Sequence, residues 1–180
     1  MIKRSDIEIM APAGSYESLL AAIEAGADSV YFGVGALNMR AASAANFTLD
    51  DLDQIVAIAH KAGVKAYLTV NTIIYDNEIE QMHAVVDRAA AAKVDAIIAA
   101  DQSVILYARS RGVEIHLSTQ LNISNSEALE FYAQWADVAV LARELSLDQV
   151  ASIHRAIDER NICSPSGEKI RIEMFAHGAL

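Results

Sequence analysis

Side chains able to bind or to move protons recur at one kind of place in this sequence, just beyond short apolar runs. Asn71 follows Leu68-Thr69-Val70, and Asp101 and Gln102 follow Ala99-Ala100. Thr119 and Gln120 come after Ser118, Arg143 and Glu144 after Val140-Leu141-Ala142, and His177 after Met174-Phe175-Ala176. Brought to one place, these amide, hydroxyl, guanidinium, carboxylate and imidazole groups would bind and orient a polar substrate. The competing explanation is that strands turn polar as they leave a core, and that Asp and Asn cap helices. Glu173 stands inside the apolar run Ile170-Arg171-Ile172-Glu173-Met174-Phe175. Pointing inward it would be a buried carboxylate needing a partner or a raised pKa; pointing outward it would be an ordinary solvated residue. Glu173 with His177 is the pair that could activate a water, and both are candidate catalytic residues. Arg40 and Asn46 lie in the loop Val34–Phe47. The planar fork of an arginine suits a carboxylate or a phosphate. The candidate substrate-binding set is therefore Arg40, Asn46, Asn71, Thr119, Gln120, Arg143 and Glu144.

Other reactive residue types point elsewhere. His116, in Ile115-His116-Leu117, is expected as a hydrogen-bonded core histidine, and His60, His83 and His154 as surface residues of helices. HxH, HExxH and CxxC spacings are lacking, so no metal site is expected from this chain alone. Cys163 has no neighbouring His or Lys to activate it. The sequence offers no Ser–His–Asp or Cys–His arrangement from which to build a protease.

The elements that must position these groups alternate strictly. Strands are expected at Ile7–Ala11, Ser29–Gly33, Lys65–Val70, Ala96–Ala100, Glu114–Ser118, Val138–Leu141 and Ile170–Phe175. Several are nearly continuous in hydrophobicity, as strands covered on both faces should be. Between them, Ser15, Thr48, Asp76, Asn125 and Ser146 each precede apolar residues at helical spacing. Ser103–Arg111 is a shorter helical segment. Alternating strands and helices imply parallel strands with right-handed crossovers. An open doubly wound sheet would carry a glycine-rich phosphate loop after its first strand. Here that turn reads Ala11-Pro12-Ala13-Gly14-Ser15. The fold class expected is α/β, an incomplete (β/α) TIM-type barrel of about seven parallel strands, forming one truncated domain over residues 1–180. In such a barrel the site lies at the C-terminal strand ends, where the polar residues above fall.

Composition narrows the setting. The chain has 180 residues, 53% of them hydrophobic, and one cysteine, which suits the cytoplasm. Apolar runs are too short to span a membrane, and the start lacks the pattern of a signal peptide. The net charge of −10 opposes non-specific attraction to phosphate backbones, though a local basic surface would still permit a nucleic-acid partner.

Several strings, taken together, resemble a known family. They are Ile9-Met10-Ala11-Pro12-Ala13-Gly14-Ser15, Gly26-Ala27-Asp28-Ser29-Val30-Tyr31-Phe32-Gly33, and Arg40 with Asn46-Phe47. They continue with Gly63–Thr72, His116-Leu117-Ser118-Thr119-Gln120, Leu141–Ser146 and Glu173–Leu180. In this order they resemble the collagenase-like proteins of peptidase family U32. The resemblance implies a cysteine-containing signature expected after Leu180. It also implies one of three functions for the intact protein: an iron–sulfur, oxygen-independent hydroxylase acting on tRNA or rRNA bases, a peptidase or collagenase, or a structural subunit of a two-protein hydroxylase. By the same resemblance the substrate is RNA or peptide, a small carboxylate such as prephenate serves as oxygen donor, and a [4Fe–4S] cluster is held by cysteines beyond Leu180. No cofactor is expected in this chain itself.

Seven strands would leave a sheet built for eight with two unpaired edges. Ile170, Ile172, Met174 or Phe175 would then be partly exposed. The chain by itself is expected to form homo-oligomers through that edge, with no membrane partner.

Overall fold

The computed structural model describes residues 3–39, 41 and 47–177. Among these, seven strands form one parallel sheet in sequence order: β1 (Met10–Pro12), β2 (Ser29–Gly33), β3 (Lys65–Val70), β4 (Ala96–Ala99), β5 (Glu114–Leu117), β6 (Val138–Val140) and β7 (Arg171–Glu173). The helices between them are α1 (Tyr16–Glu24), α2 (Leu52–Lys61), α3 (Ile79–Ala92), α4 (Gln102–Ser110), α5 (Ser126–Ala133) and α6 (Leu147–Glu159). The sheet curls as a partial barrel, and β1 and β7 are its edges. Inner-face contacts that skip a strand reveal the curl. Lys65 and Tyr67 of β3 reach Glu8 ahead of β1, and Arg171 of β7 reaches Glu114 of β5.

Period-two alternation divides each strand between two environments. Ala66, Leu68 and Val70 of β3, Ile97 and Ala99 of β4, and Ile115 and Leu117 of β5 face the helices and join the main core. The helices meet them with residues three and four apart, such as Leu52, Ile55, Val56 and Ala59 of α2 and Met82, Val85, Val86 and Ala89 of α3. Each buried Leu, Ile or Val contributes about 1.5–3 kcal/mol relative to exposure, so this layer carries the fold. A smaller cluster of Tyr67, Ala96 and Ile98, with Met10 and Tyr31 against it, covers the inner face.

The helix starts have readable causes. Ser15 Oγ accepts from Ser18 N, Asn125 Oδ1 from Ala128 N at 2.9 Å, and Ser146 Oγ from Gln149 N. Each satisfies an N–H that the first helical turn leaves open. Gly63, at φ +72°, turns the chain from α2 into β3 in a conformation that a side chain would strain.

Thr48 opens a 3-10 turn, Leu49–Asp51, ahead of α2, and β4, β5 and β6 each end one residue early; three further shifts have readable causes. The strand expected at Ile7–Ala11 pairs only from Met10, because the Asp28 carboxylate takes the Ile9 N–H at 2.7 Å and also binds Arg4. Asp76 does not cap α3: a 3-10 turn, Asp76–Glu78, comes first, and the Glu78 carboxylate reaches back to Tyr75 N at 2.9 Å. The last strand is only Arg171–Glu173. Ile170 is buried, with its N–H on Ile162 O, and Ile172 packs against the main core. Met174 and Phe175 remain exposed at 47% and 44%.

Candidate functional site

Parallel strands deliver their following residues to one rim, and two contacts there join different strands. Asn71, after β3, donates from Nδ2 to Ser118 Oγ after β5 at 3.3 Å. Its Oδ1 accepts the Met39 N–H at 3.1 Å, so the loop after β2 fixes the amide's orientation. Arg143, after β6, holds its guanidinium carbon 5.9 Å from the centre of the Phe175 ring after β7, within cation–π range. Thr119 and Gln120 begin the 3-10 turn Thr119–Leu121, whose first free N–H is met by Ser118 Oγ. Glu144 and His177 are exposed on the same rim. Asp101 has a local task there: its carboxylate accepts from Ser103 N, Ser103 Oγ and Ile74 N, capping α4 and tying down the loop after β3. Arg40 and Asn46 lie outside the described residues.

Beneath the rim, the inner face carries a polar array. Glu8 accepts from Tyr67 Oη at 2.5 Å and from Lys65 Nζ at 2.8 Å. The Tyr67 ring lies 4.6 Å, centre to centre, from the His116 imidazole. His116 Nε2 is 3.0 Å from Glu114 Oε1, and Arg171 binds the same oxygen. His116 is 2% exposed, and its Nδ1 is buried with no hydrogen-bond partner among the described residues. The expectation of a hydrogen-bonded core histidine thus describes one ring nitrogen and not the other.

Electrostatics follow this geometry. Hydrogen bonding to His116, with the Arg171 hydrogen bond and charge, holds the Glu114 carboxyl down at about 2 against the cost of its burial. Glu173 points inward. Burial, with repulsion from the Glu8 carboxylate, raises it to about 7. Arg171 shares that inner face and is engaged by Glu114. Glu173 and His177 share no hydrogen bond among the described residues, so their proximity in sequence does not make a bonded catalytic pair. Burial and the hydrogen bond to Glu8 both push the Tyr67 phenol upward, so it remains a proton donor.

Glu8, Lys65, Tyr67 and Glu114 are not among the sequence-derived candidates. Their signal is the alternation Lys65-x-Tyr67-x-Thr69-x-Asn71, Glu114-x-His116-x-Ser118 and Arg171-x-Glu173, which writes one polar inner column on each strand.

An iron–sulfur cluster requires several thiolates. The sole cysteine, Cys163, lies between α6 and β7, bridged to Lys169 at the end of the barrel opposite the rim. The residues present do not fit such a group.

Comparison with known proteins places this geometry in context. The chain is 63% identical over 176 residues to a protein named collagenase from Porphyromonas gingivalis, covering 98% of this chain and 42% of that protein. It is 34% identical to tRNA hydroxylation protein P1 of Bacillus subtilis, covering 96% and 39% respectively. It is 35% identical to the 23S rRNA 5-hydroxycytidine C2501 synthase of Escherichia coli, covering 97% and 25%. The chain therefore spans well under half the length of these relatives. Among solved structures, the U32 peptidase Mk0906 matches with a TM-score of 0.66 at 15% identity, over 93% of this chain and 66% of that one. A dihydrodipicolinate synthase from Agrobacterium tumefaciens matches at 0.61 and 12%, over 93% and 63%. At such identities these two speak for the barrel-like fold alone. The family model of peptidase family U32 matches residues 14–180, and this chain belongs to that family.

Proposed function

We propose that this chain is the substrate-binding barrel portion of an enzyme that hydroxylates a base in tRNA or rRNA. The observation that carries this reading is the rim itself, where the Arg143 guanidinium lies over the Phe175 ring while Asn71, Thr119 and Gln120 supply amide and hydroxyl groups. Unpaired bases are recognised by stacking on aromatic rings and guanidinium planes and by hydrogen bonds to their edges. The relatives named for tRNA and rRNA hydroxylation match this chain almost end to end, which agrees with that chemistry. The cluster implied by family resemblance would be held by residues other than these, and it would supply the redox chemistry. The barrel's own contribution would be to bind and orient the base and a small carboxylate donor, and to govern protons beneath them.

Peptide hydrolysis is the second reading. It is favoured by the relative named collagenase and by the inward Glu173 carboxyl, whose value of about 7 suits a general base. One experiment separates the two. The gene for the full-length protein is deleted and restored in its own host, and nucleosides from tRNA and rRNA are measured by mass spectrometry. Loss and recovery of a hydroxylated pyrimidine supports RNA hydroxylation. Unchanged nucleosides, with gelatin hydrolysis by the purified full-length protein, would replace it with the peptidase reading.

A further inference from the structure

A buried imidazole with one nitrogen committed and the other open is the least explained group in this barrel. His116 is 2% exposed, with Nε2 on Glu114 Oε1 at 3.0 Å and Nδ1 buried without a partner among the described residues. Buried polar atoms are nearly always paired in native proteins, so an open one calls for a cause. Arg171 binds the Glu114 oxygen that faces His116, and the Tyr67 ring packs against the imidazole at 4.6 Å. An ionised carboxylate can only accept, so Nε2 carries the hydrogen and, in the neutral ring, Nδ1 carries the lone pair. Two residues further along the inner face of β5 is Ser118, which accepts from Asn71 at the rim. His116 therefore sits one side-chain layer below the candidate site.

We propose that His116 is an acid–base residue of this enzyme, oriented by Glu114, whose Nδ1 exchanges a proton with a polar group of the ligand bound at the rim. The step balances simply. The N–H or O–H bond of the ligand breaks, its proton forms an N–H bond at Nδ1, and the electron pair stays on the ligand. The resulting imidazolium is stabilised by the Glu114 carboxylate, and the reverse transfer restores both partners. Glu114 on its own strand and Tyr67 on β3 contact it directly, and the inner face they share also carries Arg171 and Glu173 of β7 and Glu8 ahead of β1. Glu114 is a positioning residue in this scheme. The inference rests on the rim being the substrate site, and it holds for either reaction considered above.

The test uses the full-length protein with His116→Gln, whose amide can keep a hydrogen bond to Glu114 but cannot take up a proton. Turnover should fall by about 10²–10⁴-fold with RNA or peptide affinity kept within about threefold, and the acidic limb of the rate–pH profile should disappear. Glu114→Gln should shift that limb and leave it present. A folded His116→Gln protein with turnover within threefold of wild type and an unchanged profile would overturn the proposal. Nitrogen NMR of the unaltered protein decides the matter if the variant does not fold. The Nδ1 chemical shift should change when ligand binds, as proton exchange with that ligand requires. An Nδ1 shift that is the same with and without saturating ligand would refute proton exchange. Wild-type activity on RNA or on gelatin identifies the reaction, so failure of the RNA reading is seen separately from failure at His116.

Discussion

Tyr67 Oη donates to Glu8 Oε1 at 2.5 Å, joining the middle of β3 to the segment ahead of β1 across the inside of the barrel. Lys65 supports the same carboxylate from one turn of the pleat below. Tyr67 is almost fully buried, whereas the Glu8 and Lys65 side chains are 33% and 48% exposed, so the tyrosine supplies the better shielded bond. Tyr67→Phe should cost about 1–2 kcal/mol, since Glu8 loses a partner but keeps Lys65 and solvent. Urea unfolding should show a lower midpoint with unchanged slope. A change below about 0.5 kcal/mol would mean that the bond adds no net stability.

Two inner-face carboxyls should shape the stability–pH curve with opposite signs. Glu173 has a folded value of about 7 against an ordinary 4.5, so the folded chain binds the extra proton between those values. Its contribution is present at low pH and is lost as pH rises from 4.5 towards about 7. The loss is on the order of 3 kcal/mol, because each pH unit separating the folded value from the ordinary one corresponds to about 1.4 kcal/mol. Glu114 behaves in reverse: depressed to about 2, it stabilises above its ordinary 4.5 and loses that contribution as pH falls through about 2. Its side chain is 38% exposed, which reduces the energetic share through solvent screening. Glu173→Gln should raise stability at pH 8 and flatten the alkaline side of the curve. Arg171→Ala should move the acid-induced loss to higher pH. Denaturant titrations across pH that left both limbs unchanged would contradict these assignments.

The fold is legible in sequence where one residue decides one element. Ser15, Asn125 and Ser146 announce α1, α5 and α6, and the apolar runs of β2 and β3 are bounded by the residues that bound them in space. Ile7 and Ile9 mislead because hydrophobicity alone does not make a strand. The Asp28 side chain takes the N–H that a ladder would need there. The site is legible only at its rim, since strand ends can be found in sequence and strand interiors have to be phased. Treating Lys65–Val70 as continuously apolar conceals that Tyr67 and Thr69 share an inner face with Asn71. Glu8 is beyond reach for a different reason. Its contact with Tyr67 depends on the curl of the whole sheet, which no local pattern encodes.

If a base stacks at the rim, Arg143 and Phe175 should contribute to affinity beyond their charge. Phe175→Ala should weaken binding of the full-length protein to its RNA by about 10–100-fold, the range expected for losing one aromatic stack. Arg143→Lys, which keeps charge and removes the guanidinium plane, should weaken it by a smaller factor that persists at high salt. Filter binding at two salt concentrations checks both. Full affinity in Phe175→Ala would remove the stacking argument for RNA.

Gly33 closes β2 at a place where no side chain fits. An added Cβ would lie 2.4 Å from both Cγ and Oδ1 of Asn38, well inside contact distance. Asn38 is 2% exposed and donates from Nδ2 to Val34 O at 3.3 Å and Gly35 O at 3.1 Å, so it cannot swing aside without leaving carbonyls unpaired. Gly33→Ala should therefore destabilise by about 1–3 kcal/mol through overpacking. The effect should reach the rim as well. Asn38 is followed by Met39, whose N–H holds Asn71 Oδ1 and so leaves Asn71 Nδ2 directed at Ser118. The variant should then lose ligand affinity under conditions where it is still fully folded. Asn38→Ala in the same chain relieves the clash, and the pair should cost less than the sum of the two single changes. Strict additivity in unfolding measurements, or unaltered ligand affinity in folded Gly33→Ala, would show that this contact neither limits packing nor sets the position of Asn71.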